Sequence, residues 1–143
     1  MEFLQWLKGE HQEARQLLAK AMGVDGSARQ QAWEKFRTEL QVHHLLEEKY
    51  LYPLGEGFAP TRDIAEHAID ETHKVDRLIE EIDPTDDGFE DQAKELQQML
   101  EDHIEEEETE LVPQLMNDVP REQQAKLVQK LQQAKKQELQ GAR

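Results

Sequence analysis

Cysteine is absent from this chain of 143 residues, which removes disulfide frameworks, thiolate metal sites and cysteine nucleophiles from consideration. Basic charge is scarce: 17 Lys and Arg stand against 32 Asp and Glu, for a formal net charge of −15. Such a surface repels polyanions, so neither nucleic acid nor an anionic lipid surface is an expected partner. No apolar run approaches the roughly 20 residues that cross a bilayer. The opening MEFLQWLKGEH lacks the basic start and apolar stretch of a secretion signal. Together these absences point to a cytoplasmic protein. The strict polar–apolar alternation of a half-buried strand is missing too.

Helix formers dominate what remains: Gln, Glu, Leu, Ala and Lys. Breakers gather in four places, GVDGS at 23–27, PLGEGFAPT at 53–61, DPTDDG at 83–88 and NDVP at 117–120. They predict helices near 2–22, 28–52, 61–82, 89–117 and 121–139, with Ser27 and Thr61 placed to cap the second and third. The first four carry apolar stripes at spacings of three and four. Leu4, Leu7, Ala14 and Leu18 mark the first, and Trp33, Phe36, Leu40 and Tyr50 the second. Ile64, Ala68, Val75 and Ile82 mark the third, and Phe89, Ala93, Leu96, Leu100 and Leu111 the fourth. Four amphipathic helices with short links predict an all-α protein, an up-down-up-down four-helix bundle over about 2–117 within a single domain spanning 1–143. The fifth stretch is weaker and is expected to pack outside the bundle or to mediate contacts between chains.

The gaps in the stripes are filled by polar residues. His11 fills the gap in the first helix, His43 and Glu47 that in the second, and His103 and Glu107 that in the fourth. In the third, Glu71 stands in the gap with His67 one turn earlier, while His73 points away from the stripe. All lie near mid-helix, where antiparallel rods reach a common level. Buried carboxylates without partners cost several kcal/mol per ion, and Lys and Arg are missing from these positions. Metal ions would supply the positive charge. Imidazole with carboxylate and no sulfur suits iron, manganese or zinc, and several carboxylates can bridge two ions. The spacing alone is weak evidence in a chain so rich in acid. Position within an apolar stripe is stronger, and so is recurrence: HHLLEEKYLYP and HIEEEETELVP each begin with a His, carry Glu at the fourth and fifth positions after it, and end at Pro53 or Pro113.

With GEHQEA around His11, these two blocks resemble the hemerythrin-like family, also called the HHE cation-binding domain, over roughly residues 3–116. The resemblance implies a four-helix bundle holding two iron ions with a bridging oxo or hydroxo group, manganese or zinc being possible substitutes. It implies binding of, or response to, dioxygen, peroxide, nitric oxide or iron itself. Carried over, His11, His43, Glu47, His103 and Glu107 would be ligands, with the two glutamates bridging. Glu108 is the backup for Glu107. The third helix departs from the family pattern: Thr72 stands where a His is expected. His67 and Glu71 are therefore favoured there, with His73 the alternative. His44 reads as a flanking residue, Glu48 and Glu108 as exposed acids or partners of ligand imidazoles, and Tyr50 as a possible donor to a bound oxygen species.

The leading functional expectation is a non-haem di-iron protein that binds or senses dioxygen or a related small oxidant, with any enzymatic activity weak and peroxidase- or oxidase-like. An iron-handling protein without a stable oxygen adduct would share the ligands. A metal-free helical interaction module would need its buried acids protonated or hydrated. Zinc hydrolysis is a distant reading, since such sites use fewer ligands. Monomer and homodimer remain equally open.

Overall fold

The structure is a computed structural model that describes residues 1–142. Its α-helices are α1 (Phe3–Met22), α2 (Gly26–Leu46), α3 (Tyr52–Glu56), α4 (Arg62–Glu81), α5 (Phe89–Glu106), α6 (Val112–Met116) and α7 (Arg121–Ala142), and there is no strand among the described residues. Two π-helical turns, Glu47–Leu51 and Glu107–Leu111, join α2 to α3 and α5 to α6 without a break. The result is five helical rods. No helix among the described residues is long and apolar enough to cross a membrane.

The rod boundaries follow the breakers closely, with two differences. Ser27 and Thr61 were expected to cap the second and third rods, but Ser27 lies inside α2, whose N-cap is Asp25, and Thr61 makes no side-chain capping bond. Pro53 was expected to end the second helix, yet the helix runs on to Glu56. Pro53 and Pro113 lie in the first turn of α3 and α6, immediately after the π turns. A proline inside an α-helix lacks its N–H and collides with the carbonyl one turn back. The wider π turn relieves that collision by adding a residue to the loop, with the Tyr52 and Val112 N–H groups bonding back to the carbonyls of Glu47 and Glu107.

α1 packs on α2 and α5, α4 on α5, and α3 on α4. Gly55 sits where α3 crosses α4: a Cβ there would come within 2.9 Å of the Ala65 Cβ and 3.3 Å of Leu111 Cδ1. α7 lies against α1 and α2. Its Val128 and Leu131 enter the core, and Lys135 ion-pairs with Glu10 of α1 at 2.9 Å. The Gln124 side chain accepts the Phe3 N–H at 3.0 Å and donates to the Val119 carbonyl at 2.9 Å, tying the start of α1 to the start of α7.

The apolar core is divided in two. One cluster contains Phe3, Trp6, Leu7, Leu46, Leu51, Ala65, Ala68, Leu111 and Val112. The other contains Leu18, Trp33, Phe36, Leu40, Val75, Ile79, Phe89, Leu96 and Leu100. The chain visits them in opposite order in successive rods among the first four, which pass between them through a polar layer, while α7 packs on the first cluster alone.

Candidate metal centre

Four of the five rods contribute side chains to that layer. His11 comes from α1, His43 and Glu47 from the end of α2 and the π turn, Thr72 from α4, and His103 and Glu107 from the end of α5 and the second π turn. His11, Glu47, Thr72, His103 and Glu107 are buried, and His43 is nearly so, with 10 % of its side chain exposed. One donor atom from each of His11, His43, Glu47 and Glu107 lies within 4.8 Å of the others.

The two glutamates differ in their surroundings. Glu107 Oε1 is 3.1 Å from His11 Nε2, and its Oε2 accepts the Tyr52 hydroxyl at 2.8 Å and lies 3.2 Å from His103 Nε2. Burial, the largest single influence, raises its pKa, but the charge of His103 and hydrogen bonds from its neighbours together outweigh burial and hold it well below the usual carboxylate range. Among the described residues, Glu47 has no hydrogen-bond partner for either oxygen. His43 Nε2 stands 3.1 Å from one of them without the alignment of a hydrogen bond. Burial, reinforced by the Glu107 charge, pushes the Glu47 carboxyl well above its ordinary value.

The imidazoles are oriented from behind. His11 Nδ1 lies 2.7 Å from Glu108, and His103 Nδ1 lies 3.4 Å from Glu71. A carboxylate at Nδ1 fixes the ring and turns Nε2 toward the layer; for His11 it also favours the proton on Nδ1, leaving Nε2 as the lone-pair donor. Burial, together with nearby His11, depresses the His43 pKa well below the ordinary value and keeps that ring neutral. His103 behaves oppositely: burial opposes its charge, but Glu107 and then Glu71 prevail and raise it from 6.5 to about 10. Burial, with the charges of Glu107 and Glu47, keeps the Tyr52 phenol far above its usual pKa and so protonated.

The third-helix candidates lie apart from this cluster. His67 and His73 face outward, with 60 % and 56 % of their side chains exposed. His67 pairs with Glu106 at 2.9 Å and forms a separate, more exposed group with Glu71 and Glu106. Glu71 lies behind His103 instead of among the central four. Thr72 is the α4 residue that faces the layer, fully buried, with its hydroxyl donating to the Ala68 carbonyl at 2.9 Å and standing 3.1 Å from the Tyr52 hydroxyl. Its place was legible as four after Ala68 and three before Val75. His44 is buried as well, with Nδ1 at 2.7 Å from Asp76. The aromatic donor at the layer is Tyr52 where Tyr50 was expected; Tyr50 is half-buried against Lys130. The extra residue of the π turn re-aims the side chains that follow Glu47.

A tetrad of two imidazoles and two carboxylates, one carboxylate without a hydrogen-bond partner among the described residues, fits a cation bound by nitrogen and oxygen. Comparison with known families agrees: the hemerythrin HHE cation-binding domain model matches residues 2–115. The chain belongs to that family. It matches no curated protein. Nor does any solved structure match it. The match leaves α7 outside the family's shared portion.

Proposed function

We propose that the chain is an iron protein in which the buried layer holds the metal and meets dioxygen or a related small oxidant, peroxide or nitric oxide. The carrying observation is Glu47: a buried carboxylate with no hydrogen-bond partner among the described residues, within 4.8 Å of three further donors, is stable as an anion only beside a cation. His11, His43, Glu47 and Glu107 would hold the metal, with His103 beyond Glu107. Iron bound there would supply the redox electrons. Glu108 and Glu71 fix the ring orientation of His11 and His103, and Tyr52 Oη holds a proton 2.8 Å from Glu107. Phe3, Trp6, Leu7, Leu46, Leu51 and Leu131 line a cavity of about 10 Å³ beside His43 and Glu47, at the lower limit for a single water molecule. That apolar wall excludes bulk water.

The alternating order in which the rods meet the two apolar clusters supports an up-down-up-down bundle. The α7 residues in the core and its Lys135 ion pair support its being part of the same working unit. Iron analysis after desalting tests the reading, followed by near-ultraviolet spectra of reduced, oxygen-free protein mixed with dioxygen, hydrogen peroxide or nitric oxide. Retained iron and a spectrum that responds to at least one oxidant are expected. Protein that keeps no iron, or a spectrum indifferent to all three, refutes it.

A further inference from the structure

The polar layer is lopsided. On one side, His11, His43, Glu47 and Glu107 present donors within 4.8 Å of one another, and both Glu47 oxygens lack hydrogen-bond partners. On the other side, His103 is the one imidazole turned to the layer, and its Nε2 is already engaged. It lies 3.2 Å from Glu107 Oε2 and 3.2 Å from the Tyr52 hydroxyl, with the Thr72 hydroxyl at 3.5 Å. Tyr52 also donates to Glu107 Oε2 at 2.8 Å, so the oxygen nearest His103 is engaged as well. α4 offers no replacement. Its layer-facing residue is Thr72, the His67 and His73 rings are outside, and Asp76 is turned to His44 at 2.7 Å. A second ion beside His103 would have to break this hydroxyl network and would find one imidazole where the first position has two.

We infer that the layer contains two unequal cation positions. One, on His11, His43, Glu47 and Glu107, is preassembled and fills first. The other, beside His103, is closed by the Tyr52 and Thr72 hydroxyls and holds a second ion far more weakly. This departs from the matched pair of ions that the family resemblance implies, and it rests on the reading of the layer as a metal site. Altering the hydrogen bonds around metal ligands changes affinity by roughly 10- to 100-fold, and the two positions are expected to differ by about that much.

The test is anaerobic calorimetric titration of chelator-stripped full chain with ferrous iron, with metal analysis after desalting. Wild type is expected to give two separated steps and to retain one ion per chain. His43→Gln should abolish the tight step. His103→Gln should remove the weak step and leave the tight one within a few-fold. Thr72→His, which sets a second imidazole beside His103, should raise retained iron toward two per chain, while Thr72→Val stays at one. A single step with two ions retained by wild type overturns the inference, as does loss of the tight step in His103→Gln. Retention of no ion at all overturns the metal reading itself. Wild type and His103→Gln decide the matter even if Thr72→His fails to fold.

Discussion

Glu47 and Glu107 hold equivalent places in two copies of one sequence pattern, and the molecule treats them oppositely. Each opens a π turn, each is buried, and each precedes a proline by six residues. Glu107 gathers His11, His103 and Tyr52 around it; Glu47 gathers no hydrogen bond. The divergence begins five residues on. After Glu47 comes Tyr52, whose hydroxyl crosses to Glu107. After Glu107 comes Val112, which returns nothing. It continues at the neighbouring acids, where Glu108 backs His11 at 2.7 Å while Glu48 is exposed and 3.7 Å from His73. A repeat in sequence thus guarantees matching backbone geometry without guaranteeing matching electrostatics. One carboxylate is satisfied within the protein and the other is left for a guest.

The sharpest way to break that contrast is to remove each acid in turn from metal-free protein. Glu107→Ala strands a buried His103 charge and should cost about 3–5 kcal/mol in denaturant unfolding. Glu47→Gln should cost nothing or stabilise, since it replaces a carboxyl that gains little from its surroundings, while sharply reducing iron retention. Equal losses would show the two sites to be alike after all. The pH dependence should be the next largest effect. His103, raised from 6.5 to about 10, contributes stability that is fully present below pH 6.5 and lost as pH climbs through 10. Glu47, raised above 4.5, works in the same direction, because its unfolded form ionises first. The melting temperature of metal-free protein should therefore fall between neutral pH and pH 10, and His103→Gln should flatten that slope.

A further contrast lies beyond the two prolines. Gly55, two residues after Pro53, meets Ala65 at a distance that admits no Cβ; Leu115, two after Pro113, has no such constraint. Gly55→Ala should cost about 1–3 kcal/mol by overpacking, seen as a lowered midpoint in denaturant. The smallest effect is expected from Tyr52→Phe. Loss of one hydroxyl donor to Glu107 should cost about 1–2 kcal/mol in the metal-free protein.

Much of this organisation is legible in the sequence. The helix limits follow from the breakers, and the polar layer from residues that interrupt regular stripes. Periodicity fails where the helix stops being α. A π turn adds a residue, so a count at 3.6 per turn carried past Glu47 lands on Tyr50 instead of Tyr52. On α4, stripe position and ligand chemistry pull apart. Thr72 fits the stripe between Ala68 and Val75, but it offers a weak donor, so the search for ligands settles on Glu71 and His67. Glu71 does approach the layer, from behind His103, while His67 stays at the surface. His44 hid for a related reason. It lies four after Leu40, but adjacent His43 claims the same gap, and only tertiary packing reveals that Asp76 receives the second ring.

The split core carries one last consequence. Two greasy blocks are stacked end to end with a charged slice between them, and the first four rods are threaded through all three. Charges that repel burial make that slice a natural line of parting when it is empty, and a cation would act there like a rivet. Amide exchange at Leu18 and at Leu111, residues in opposite blocks, should accordingly slow in step as iron is added. Loading would be felt along the whole length of the protein, well beyond the handful of atoms that grip the ion.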